Sequence, residues 1–83
     1  MNKLEGIIET YINGNITVAK KQFRYLGIDK VQIIECAESF GIRRTIKILK
    51  DLGLSDMYII NSFHDFDRGN IDKAKEILLN NFY

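Results

Sequence analysis

The sequence predicts an all-α fold: six short helices stacked as helical hairpins into one small α-solenoid-like domain covering residues 1–83. Three observations carry this expectation. No stretch alternates apolar and polar residues as a strand would. There is no proline, and glycines at 14, 27, 41, 53 and 69 cut the chain into segments of ordinary helix length. Apolar residues also return at a spacing of 26, the signature of a structural repeat.

Each element has its own signals. The first helix is expected over 3–12 and stops at Asn13-Gly14, since glycine leaves a helix in a left-handed conformation at no steric cost. The second is expected over 16–26. Asn15 is its N-cap, offering a side-chain oxygen to free N–H groups of the first turn, and Gly27 is its stop. Asp29 caps a third helix over 30–40, which Gly41 ends, and a fourth follows over 42–52 to Gly53. Ser55 caps a fifth over 56–65. The linker Phe66-Asp67-Arg68-Gly69 then leads to Asn70, the expected cap of a sixth over 71–82. Connections this short favour antiparallel neighbours.

The repeat ties these helices into pairs. Leu26-Gly27-Ile28-Asp29 returns as Leu52-Gly53-Leu54-Ser55, and Ile7-Ile8 returns as Ile33-Ile34 and Ile59-Ile60. Thr10, Cys36 and Ser62 share a small-residue register, which predicts that Cys36 is packed and inert. About three residues are inserted after Phe66, so the last helix follows the fourth at a spacing of 29: Ile42 to Ile71, Thr45 to Ala74, Leu49 to Leu78.

The stretch 39–53, with Gly41-Ile42 at its head and Leu49-Lys50-Asp51-Leu52-Gly53 at its end, resembles the helical part of an ankyrin repeat, as does 68–79. Gly69-Asn70 followed by Ala74-Lys75 is also similar to tetratricopeptide repeats. The Thr-Pro-Leu-His tetrapeptide of ankyrin repeats is absent, and the spacing leaves no room for their β-turn. The resemblance implies stacked helical hairpins and, with them, protein–protein recognition.

Composition narrows the function classes. A chain of 83 residues makes one domain with modest stability. Its single cysteine provides neither an internal disulfide nor zinc-ligand spacing. No apolar run approaches the roughly 18 residues of a membrane span, and the N-terminus lacks a signal-peptide core; no membrane partner and a cytoplasmic location are expected. His64 is the one histidine, and no nucleophile is placed with it and Asp65. Phosphate-binding glycine loops and metal-ligand motifs are missing as well. The expectation is a protein that is no enzyme, with no catalytic residues, cofactor or metal.

The partner signal lies in charge. On a helical wheel the second helix turns Lys20, Lys21 and Arg24 outward, with Tyr25 beside them, and the fourth turns out Arg43, Arg44, Lys47 and Lys50. The intervening helices are acidic, so a chain of net charge +1 can still present a basic face. The expected function is non-catalytic binding of another protein by surface complementarity. Small size and a composition suggesting an AT-rich genome point to a phage or mobile-element inhibitor or regulator of a host protein. The alternative is nucleic-acid binding through the basic face of the second and fourth helices, with Tyr25 as a stacking surface. Leu79 falls where Arg24 and Lys50 stand in the repeat. With Phe82 and Tyr83 it marks a site of self-association or partner contact.

Overall fold

Single glycines and short capped loops leave the helices little choice but to fold back on one another. The structure, a computed structural model, describes residues 2–82, with side chains described as far as Asn80. It contains α1 (Lys3–Ile12), α2 (Ile16–Arg24), α3 (Lys30–Phe40), α4 (Ile42–Asp51), α5 (Asp56–Phe66) and α6 (Ile71–Phe82), with a 3-10 turn, Arg68–Asn70, before α6. No strand occurs among the described residues.

The hairpins are α1 with α2, α3 with α4, and α5 with α6. Helix α3 is the hub, packing on α1 and α5 as well as on α4, so the odd helices form one layer. Helices α4 and α6 pack together in a second layer. The radius of gyration is 11.7 Å, against about 11.8 Å expected for a compact chain of 83 residues.

Burial follows the repeat. Ile7, Ile33 and Ile59 are buried in successive hairpins, and Ala19, Thr45 and Ala74 are each fully buried on α2, α4 and α6. The three-residue insertion is the 3-10 turn Arg68–Asn70. Polar contacts fasten helices both between and within hairpins. Tyr58 Oη donates to the Ile28 carbonyl at 2.8 Å, and the buried Thr45 Oγ1 donates to the Cys36 carbonyl at 3.0 Å.

Capping matches the expectations at two loops and departs from them at two others. Asp29 Oδ1 accepts from Val31 N at 3.1 Å, and Ser55 Oγ accepts from Tyr58 N at 3.3 Å. Asn15 makes no side-chain cap: its ψ of 60° departs from the extended backbone that aims an N-cap side chain at the first turn. Asn70 lies inside the 3-10 turn, and its Nδ2 donates instead to Asp67 Oδ2 at 2.9 Å. Asn2, which the sequence reading passed over, caps α1 through Glu5 N at 2.8 Å. Helix α2 ends at Arg24, two residues before the expected boundary. There Tyr25 N and Leu26 N donate to the Gln22 and Phe23 carbonyls at 3.3 and 3.2 Å, bonds of the 3-10 kind, and Leu26 packs on the core.

Helix α2 is the exception to the regular stack. Ala19 is its one buried residue. Gln22 occupies the register position held by the buried Ile48 and Ile77, so α2 has no second apolar ridge to set against α4. It packs on α1, and neither α3 nor α4 takes it up as a substantial neighbour.

Candidate functional site

The charge pattern of the chain is resolved by which acids the fold consumes. Lys50 Nζ pairs with Asp56 across the α4–α5 junction, both side chains being largely covered. Tyr11 Oη donates to the Asp51 carboxylate, tying α1 to α4. Lys30 Nζ meets Asp65 Oδ2 at 3.1 Å between α3 and α5, and Asn2 Nδ2 donates to Glu35 Oε1 at 3.1 Å between α1 and α3. Carboxylates from α3, α4 and α5 are thus used to fasten hairpins together.

What remains is an excess of cations on the second layer. The α4 period puts Thr45, Ile46, Ile48 and Leu49 into the core and leaves Arg43, Arg44 and Lys47 exposed. Lys73 of α6 joins them. All four line a depression of about 630 Å³ with Phe40, Gly41 and Ile42, and no acid lines it. Among the described residues none of the four has an ion-pair partner. Phe40 and Ile42 are half-buried and pack on the core, so they form an apolar floor.

A second depression, of about 350 Å³, opens on the other side of α4, where α2 fails to close against it. Its lining is Tyr11, Ile12, Arg44, Lys47 and Ile48. Arg44 and Lys47 therefore border both openings, and α4 stands between them as a basic ridge.

The sequence-predicted residues divide accordingly. Arg43, Arg44 and Lys47 come together. Lys50 is held by Asp56 and is half-buried. Lys20, Lys21 and Arg24 are exposed on α2 and line neither depression beside α4. Tyr25 is 80% exposed and borders a separate opening with Lys3, Gln22 and Leu26, away from the α4 cations. Leu79 is 65% exposed on α6. The Phe82 side chain and Tyr83 lie outside the described residues. Lys73 was missed, although the register could have found it, since Val18, Arg44 and Lys73 are equivalent at spacings of 26 and 29.

Cys36, Tyr11 and Asp65 are displaced among the described residues. Burial, and then the charge of Glu5, push the Cys36 thiol up to about 12; Cys36 is fully buried, as its small-residue register predicts. The hydrogen bond to Asp51 raises Tyr11 above the ordinary tyrosine range. Contacts from His64 and then Lys30 hold Asp65 below the usual carboxylate range. No helix among the described residues is long and apolar enough to cross a membrane. No protein-family profile, curated protein or solved structure matches the chain.

Proposed function

We propose that the chain is a small non-catalytic binding domain that engages a partner protein through the outer face of α4. The observation that carries this reading is the group Arg43, Arg44, Lys47 and Lys73, exposed and unpaired around the apolar floor of Phe40 and Ile42. Unneutralised charge of one sign steers a complementary partner and fixes its register, while the floor contributes apolar contact. An inhibitor or regulator of a host protein, as size and composition suggest, would act in this way, by covering a surface of its target.

The test compares immobilised wild type with the Arg43→Glu/Lys47→Glu variant in affinity capture from a lysate of the source organism. The expected result is a specific protein retained by wild type and lost by a variant with the same melting behaviour. Identical recovery on both, or no specific protein on either, overturns the proposal.

Nucleic-acid binding is the second reading, favoured by the absence of any acid from the lining of the α4–α6 depression. Four phosphate contacts would make log K fall against log salt with a slope of about −3. No shift of mixed DNA or RNA at low salt removes this reading.

A further inference from the structure

We infer that the α4 surface recognises an acidic protein segment carrying one apolar anchor, laid across the helix so that it enters both depressions. This rests on the protein-binding reading above and adds the chemistry of the bound segment. The two openings differ in character. The one toward α6 adds Arg43 and Lys73 to the shared pair Arg44 and Lys47, so four cations stand over the floor of Phe40 and Ile42 and suit carboxylates. The one toward α1 adds no further cation, only Tyr11, Ile12 and the edge of the buried Ile48, and leaves room for an apolar side chain against Ile12. Ile12 is 42% exposed at its edge, although it belongs to a helix whose inner face is fully packed.

The apolar opening is built into the repeat. Between α4 and α6 the two helices pack together through Ile48 and Ile77, both buried. Between α2 and α4 the corresponding residue is Gln22, so α2 adds no apolar side chain beside Ile48 and a depression is left there. An apolar side chain placed there would replace the contact that α2 does not make. Arg44 and Lys47, shared by both openings, would meet the acidic residues as the segment crosses α4, and their charge selects against a basic segment.

Helix geometry sets the spacing. An α-helix with side chains is about 10–12 Å across, and an extended chain advances about 3.3 Å per residue. Crossing α4 therefore takes roughly three or four residues, so the carboxylates should lie about that far from the anchor. A nucleic-acid strand offers charge but no apolar anchor, and would draw nothing from Ile12.

The experiment is fluorescence anisotropy with the full chain. The probes are a labelled peptide with a central Phe and three Glu placed three to five residues away, the same peptide with Ala for Phe, the same peptide with Gln for Glu, and a single-stranded oligonucleotide of equal charge. The Phe peptide should bind about tenfold more tightly than the Ala peptide, as expected for partial burial of one ring. Ile12→Ser should erase that difference. Arg44→Glu and the Gln peptide should each abolish binding. Equal binding of the Phe and Ala peptides, an Ile12→Ser variant that keeps the preference, tighter binding of the oligonucleotide, or no peptide binding at all overturns the inference. If lysate capture remains sensitive to Arg43→Glu/Lys47→Glu when no peptide binds, the protein-binding reading survives alone; if capture also fails, both fall.

Discussion

Replacing Gly41 with alanine should destabilise the protein, whereas the same change at Gly6 should stabilise it. Gly41 is the single residue between α3 and α4, with φ +93° and ψ +144°, a region that L-residues with a Cβ essentially do not occupy. A Cβ added there meets nothing within 4 Å, so the penalty is one of backbone conformation alone. Strain of that kind costs about 1–3 kcal/mol. Gly6 lies inside α1, outside the positive-φ group, and its Cβ also finds open space. Alanine there gains about 1 kcal/mol from helix propensity. In a domain of this size 1 kcal/mol moves Tm by about 4–8 °C, so Gly41→Ala should lower it by roughly 5–20 °C and Gly6→Ala should raise it by about 4–8 °C. Circular dichroism at the helical band, with heat and urea, measures both. A Gly41→Ala variant as stable as wild type would refute the argument that this joint directs α4. The joint also lines the basic depression, so a folded Gly41→Ala variant should lose partner binding together with stability.

Three further outcomes follow from the packing. Cys36 should resist a thiol reagent at pH 8 in the folded protein and react promptly in urea, because burial removes both access and thiolate; fast labelling of the native chain would contradict its placement. Thr45→Val keeps the side-chain shape but removes the bond to the Cys36 carbonyl, and should cost about 1 kcal/mol in a urea titration; an unchanged midpoint would show that the bond adds nothing. Tyr11 and Asp65 predict opposite pH dependences. The folded-state value of Tyr11 is raised, so its bond to Asp51 contributes below the ordinary tyrosine range and is lost as pH rises through the folded value. The stability gap between wild type and Tyr11→Phe should therefore close in alkaline solution. Asp65 is lowered, so its contribution is present above the ordinary carboxylate range and is lost as pH falls through the folded value; the gap to Asp65→Asn should close in acid.

Helix number, order and pairing were legible in the chain because their causes are local or periodic. Leu-Gly breaks, the Asp29 and Ser55 caps and the recurrence of Ile7, Ile33 and Ile59 each act within a few residues or at one fixed spacing. Asn15 shows the limit of the local rule. Its residue type suits a cap, but the backbone angle that would aim its side chain is set by how α2 leaves α1.

The candidate site was half legible for a related reason. A helical wheel already turns Arg43, Arg44 and Lys47 outward, because a period of 3.6 needs no neighbour to define a face. It could not say that Lys50 would be taken by Asp56, that Tyr25 would face another opening, or that Lys73 would join from α6. Nor could it show that Gln22 leaves the second layer open beside Ile48. Residue types and their periods decided which side chains point to solvent. Which of those charges stay unpaired, and which stand beside an apolar floor, depends on the separation between helices distant in sequence, and only the packing of one hairpin on the next sets that distance.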